Sequence, residues 1–188
     1  MKITGIKTYW LKVPYDKPFE PTWYPGKRET HQHILLVRVM TDEGIEGYGS
    51  GEFPFGLTPT YMTFIQDMIA PWLIGQDPLM IEKLATRLKG DGRLAPRPWI
   101  VENALWDILG KKAGLPAYKV MGGYRDHIPA YAAMCELRSD EERQEDALRL
   151  FDEGFRAVKL RLFMPTIKED IHIVENIRKA VGDKMTII

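Results

Sequence analysis

Residues 98–123 read PWIVENALWDILGKKAGLPAYKVMGG: a helix, a stop signal, a short second helix and a double glycine, around which the rest of the chain can be placed. Ile100, Val101, Ala104, Leu105, Ile108 and Leu109 recur at helical spacing, while Glu102, Asp107, Lys111 and Lys112 fall largely off that stripe, so the helix has one buried side. Gly114 is the expected left-handed cap, Lys111 and Lys112 meet the negative helix end, and Pro116 stops continuation. Gly110, inside the helix, costs about 1 kcal/mol against alanine, which a close backbone contact would explain.

Periodicity alone makes this a buried helix. The order of residue types says more: Glu102-x-Ala104-Leu105-Trp106-Asp107-Ile108-x-Gly110-Lys111, then Gly114-x-Pro116, then Val120, Met121 and Gly122-Gly123. In this order the segment resembles the signature of the mandelate racemase and muconate lactonizing enzyme group of the enolase superfamily. The resemblance implies an α+β N-terminal capping domain, an antiparallel meander plus helices, over 1–123, ending with the signature helix of 98–123. It also implies that 124–188 holds the first strands and helices of an incomplete TIM-type (β/α) barrel, truncated in its third strand.

Composition sets the outer limits. With 188 residues, 45% of them hydrophobic, the chain can bury a sizeable core. Lys plus Arg and Asp plus Glu are both 26, so the balance gives no electrostatic case for nucleic acid or an anionic membrane as partner. The opening MKITGIKTYW lacks the apolar core of a signal peptide, and no run reaches the roughly 18 apolar residues of a membrane span. A cytoplasmic protein is the expectation. The single cysteine, Cys135, excludes an intrachain disulfide framework and any cysteine zinc cluster.

In chain order, 3–13 alternates as a strand, with Tyr9, Leu11 and Val13 against Thr8, Trp10 and Lys12. Residues 14–30, with four prolines, a glycine, Phe19, Trp23 and Tyr24, read as a long functional loop. A strand over 33–40, a turn at 41–44 and a strand over 45–52 complete a meander. A second aromatic loop, 53–57, follows. In the resembled family two loops at these places close over the barrel mouth, which makes Trp23, Tyr24, Phe53 and Phe55 candidate substrate-binding residues; the simpler alternative is that the rings pack the loops onto the sheet. Thr58-Pro59 and Asp77-Pro78 read as starts of helices reaching 73 and 89, and 90–98 links them to the signature helix. Beyond Gly123, strands over 127–134, 157–163 and 185–188 alternate with helices over 140–152 and 168–181, capped by Ser139 and Thr166, the pattern of a parallel sheet with helical crossovers.

Chemistry concentrates on 156–162, RAVKLRL. Two residues apart, Lys159 and Arg161 share one face of a strand, with Val158, Leu160 and Leu162 on the other. Barrel enzymes hold their active sites at the C-terminal strand ends; an edge strand with a solvated charged face is the alternative. Removing a proton beside a carboxylate gives a doubly negative enediolate, reachable only with positive groups at the developing oxyanion. In the resembled family this strand carries Lys-x-Lys, the second lysine usually the base. Here Arg161 stands in that place, and arginine is hard to deprotonate. Arg161 as an unusual base, Lys159 as the base, and a histidine across the barrel with Arg161 acting electrostatically are the three options; the third is favoured. It makes one substrate face reactive and points to dehydration of an acid sugar, with racemase, epimerase or cycloisomerase activity as alternatives.

His31 and His33 share a strand face without a third ligand, His127 and His172 have no motif, and Met134, Met164 and Met185 read as core filler. The resemblance implies Mg2+ as cofactor, with its ligands beyond Ile188 and none within 1–188, a small-molecule carboxylate as substrate, and a homo-oligomer. Since a full barrel takes about 250 residues, 1–188 alone is expected to be inactive, and a non-catalytic piece that self-associates through its open sheet edge is the reading of a different class.

Overall fold

The computed structural model describes residues 1–53, 56–93 and 98–188. They form two compact units: Met1–Pro14 with His31–Asp126, and Tyr15–Thr30 with His127–Ile188. This division differs from 1–123 and 124–188, chiefly in giving 15–30 to the second unit. The reason is backbone pairing. Pro21 bridges Glu136 in antiparallel fashion, the Thr22 N–H donates to Cys135 O at 3.0 Å and the Leu137 N–H donates to Glu20 O at 2.8 Å.

The first unit contains a three-stranded antiparallel sheet in the order β1-β2-β3, from strands β1 (Ile3–Phe19), β2 (Glu29–Thr41) and β3 (Glu46–Glu52), the first two continuing into the second unit. β1 runs six residues past its expected end, so most of the 14–30 loop shrinks to 20–28. Pro14 and Pro18 are tolerated because β1 is an edge strand, where a missing N–H breaks no ladder bond. Tyr9, Leu11 and Val13 are exposed, and Ile3 and Ile6 supply the buried positions of β1 instead.

The helices of this unit are α1 (Thr58–Phe64), a π-helical turn (Ile65–Ile69), α2 (Ala70–Leu73), α3 (Ile81–Asp91), α4 (Trp99–Ala113) and α5 (Ala117–Val120). The π turn, closed by the Ala70 N–H on Ile65 O, comes just before Pro71, which has no N–H to continue the regular ladder. Neither Thr58 nor Asp77 caps its helix: Thr58 is the first helical residue, its buried hydroxyl without a partner, and Asp77 accepts from the Leu79 N–H in a turn ahead of α3. At α4 the expectation holds. Gly114 takes φ 66°, its N–H donates to Lys111 O and that of Leu115 to Gly110 O, the paired bonds of a Schellman cap. A Cβ on Gly110 would lie 2.8 Å from Leu115 O, the close contact its presence implied.

One feature of the core has no hydrophobic signal at all. Gly47, Gly49 and Gly51 alternate along β3, and Cβ atoms there would fall 2.0 Å from Ala104 O, 1.9 Å from Ile100 O and 2.5 Å from the Trp99 ring. Helix α4 therefore lies directly on the backbone of β3, burying Ile100, Val101, Ala104, Leu105 and Ile108. Asp107 closes this contact, accepting from the Tyr48 N–H at 2.8 Å and from Lys111 Nζ at 2.7 Å.

The second unit is a parallel sheet in the order β4-β5-β6, from β4 (Ala132–Met134), β5 (Ala157–Leu160) and β6 (Thr186–Ile187). Its crossovers are α6 (Asp140–Asp152) and α7 (Ile167–Val181), both opened by complete capping boxes, Ser139 with Glu142 and Thr166 with Glu169. All three strands are shorter than expected. β4 pairs with β5 from Ala132, opposite Val158, to Met134, opposite Leu160, and the Leu160 N–H donates to Ile188 O.

Candidate active site

In the second unit Val158, Leu160, Ala132, Met134 and Ile187 pack with Ala147, Ile173, Ile177, Val181 and Met185, so one face of the sheet is covered by α6 and α7. Period two then turns Lys159 to the opposite face, beside its register partner Ala133, which is exposed. Lys159 is half-buried and its Nζ lies 5.8 Å from the centre of the Tyr131 ring. Arg161 follows the last residue of β5 instead of sitting within the strand; it is exposed, with Cζ 5.2 Å from the centre of the Trp23 ring. Leu162, expected on the buried face, is 40% exposed because the strand has already ended.

Trp23 belongs to a folded turn. Glu20 accepts from the Gly26 N–H at 2.9 Å and from Arg28 Nε at 3.2 Å, bonds that hold its carboxyl below the usual carboxylate range. The rings of Tyr15, Phe19 and Trp23 follow one another at 5.8 and 6.2 Å. Trp23 and Tyr24 keep substantial exposure, whereas Phe53, in the first unit, is 5% exposed, its ring 3.8 Å from that of Tyr61 and 6.4 Å from that of Trp99. Phe53 thus serves the core of its unit, and Phe55 lies outside the described residues. Sequence reasoning missed the Glu20 clasp; an acid six residues before Gly26 and eight before Arg28 is too common a pattern to signal one.

The remaining titratable candidates are otherwise engaged. His33 Nδ1 accepts from Trp10 Nε1 at 3.0 Å. His172 Nε2 sits 2.9 Å from Asn176 Nδ2. Cys135 is half-buried and lines, with Phe19, Met134 and Arg143, a cavity of about 280 Å³. Met185 is buried and Met134 partly buried, while Met164 is 37% exposed. Among the described residues no group of three or more His, Cys, Asp or Glu side chains could hold a metal ion. The described residues do not by themselves make a magnesium centre, and the charge carried by Lys159 and Arg161 is positive. No helix of the described residues is long and apolar enough to cross a membrane.

The described residues thus hold a helix-backed antiparallel sheet followed by parallel strand-helix units, the fold of the N-terminal part of enolase-superfamily proteins. Residues 12–122 match the family described as mandelate racemase / muconate lactonizing enzyme, N-terminal domain, and the chain belongs to that family. It is 29% identical over its full length to N-succinyl-L-Arg/Lys racemase of Bacillus cereus, covering 51% of that protein. It is 28% identical over 86% of its length to arabinonate dehydratase of Saccharolobus solfataricus, covering 46% of it. The solved structure of a racemase from Streptomyces coelicolor with bound magnesium is similar with a TM-score of 0.87 at 25% identity, over 98% of this chain and 54% of that one. Other relatives are cycloisomerases and an epimerase. The chain spans about half the length of the curated relatives it matches.

Proposed function

We propose that the chain is the N-terminal part of a magnesium-dependent enzyme that removes the α-proton of a small carboxylate substrate to give an enediolate, and that the reaction is dehydration of an acid sugar. The observation that carries this reading is the placement of Lys159 on the helix-free face with Arg161 directly beyond the strand. A base takes the α-proton and the substrate carboxylate gains a second negative charge that Lys159 and Arg161 stabilise; the β-hydroxyl, protonated by a general acid, leaves as water, and the resulting enol tautomerises to a 2-keto acid. A guanidinium is a poor general base, so the role assigned to Arg161 is electrostatic and the base lies elsewhere. Trp23 and Tyr24 would contact the substrate. A homo-oligomer in the cytoplasm belongs to the same proposal.

The test is the full-length protein with magnesium and a panel of acid sugars, following 2-keto acid formation. Magnesium-dependent turnover supports the reading. Interconversion of 2-hydroxy acid stereoisomers without keto product would replace dehydration by racemisation, an activity named for one relative matched over the whole chain. Concentration-dependent association without turnover would replace both by a non-catalytic, self-associating protein.

A further inference from the structure

Arg143, on α6, is 2% exposed, and its guanidinium is used on backbone oxygens: Nε donates to Arg138 O at 3.2 Å and Nη1 to Arg161 O at 3.4 Å. Burying a cation against carbonyls is a poor way to gain stability, since an apolar side chain of similar volume avoids the desolvation cost. What the arrangement does provide is a fixed position for the Arg161 peptide. A second residue holds the same loop from the other helix. Asp170, on α7, accepts from the Met164 N–H at 3.1 Å, and its charge attracts Arg143, as does that of Asp140, against the desolvation that lowers the Arg143 pKa.

We infer that Arg143 and Asp170 are a pair of positioning residues that bracket the loop after β5, Arg143 on the Arg161 carbonyl and Asp170 on the Met164 amide, and so set where the Arg161 guanidinium meets the substrate anion. A loop of this kind has no ladder bonds of its own. Without the bracket the Arg161 side chain would emerge from a mobile backbone, and a displacement of about 1 Å at such a group lowers turnover by about a hundredfold. This inference rests on the proposed role of Arg161.

The experiment is a double-mutant cycle in the full-length enzyme, with Arg143→Met, Arg161→Met and the double variant, plus Asp170→Ala, which removes the acceptor of the Met164 N–H, as the second single variant should Arg143→Met fail to fold. Arg143→Met is expected to lower kcat more than tenfold with a smaller change in KM, and to lower nothing further once Arg161 is methionine. Losses that multiply in the double variant overturn the inference while leaving Arg161's role standing. If Arg161→Met itself leaves turnover unchanged, the proposed function fails first, and hydrogen exchange decides the bracket alone. Faster exchange of the 161–166 segment in Arg143→Met, with α6 and α7 still protected, supports it; unchanged exchange there overturns it.

Discussion

Replacing Gly49 with alanine is the sharpest test of how the first unit is assembled. The added Cβ would sit 1.9 Å from Ile100 O, 3.0 Å from Ile100 C and 3.1 Å from Ala104 N, whereas ordinary contact begins at 3.4 Å. Backbone atoms cannot swing aside as a side chain would, so α4 must lift by about 1.5 Å, withdrawing Ile100, Leu105 and Ile108 from positions where each is at most 1% exposed. Overpacking of this kind costs about 3 kcal/mol, the upper part of its usual range, which in a chain of this size lowers the melting temperature by roughly 6–12 °C. Gly90→Ala is the matched control: it lies in α3 with nothing within 4 Å of the added carbon and should gain about 0.5–1 kcal/mol through helix propensity. Thermal unfolding followed by circular dichroism separates the two. A Gly49→Ala protein that melts with the parent would refute the direct seating of helix on strand.

Ser139→Ala, which removes a complete capping box, should lower the unfolding free energy from urea titration by about 1 kcal/mol, while Thr58→Ala, whose hydroxyl makes no bond, should be neutral or slightly stabilising; the opposite order would contradict the caps described. The Glu46 carboxyl is held below the usual carboxylate range first by Arg38 and then by the Tyr48 hydroxyl. Because the folded value is the depressed one, its stabilising contribution is complete above the unfolded carboxylate pKa of about 4.3 and fades as pH falls through the folded value. Glu46→Gln should therefore unfold at lower urea than the parent at pH 7 and converge with it in acid, and a gap independent of pH would count against the interaction. Lys159→Met and Arg161→Met should each lower kcat of the full-length enzyme by about 10²–10³ with native folding retained; unchanged turnover in both would remove these residues from the chemistry.

The sequence by itself determined the elements whose signals are local. The stripe and cap of α4 and the boxes at Ser139 and Thr166 are written within a few residues of where they act, and the strand-helix alternation after Gly123 was legible because it repeats over short spans. Period two alone put Lys159 opposite Val158 and Leu160. Tertiary structure decided whatever depends on a distant partner. The glycines of β3 look like weak strand residues until Ile100 and Ala104 are seen against them. Pro14 and Pro18 look like loop residues until β1 is found at a sheet edge. Phe53 reads from the sequence either as a substrate-loop ring or as one packed onto the sheet, and only the rings of Tyr61 and Trp99 beside it show the packing. Trp23 comes to Arg161, and Arg143 to the Arg161 carbonyl, through backbone pairing between segments more than a hundred residues apart and through burial of a helix face, neither of which leaves a periodic trace in the chain.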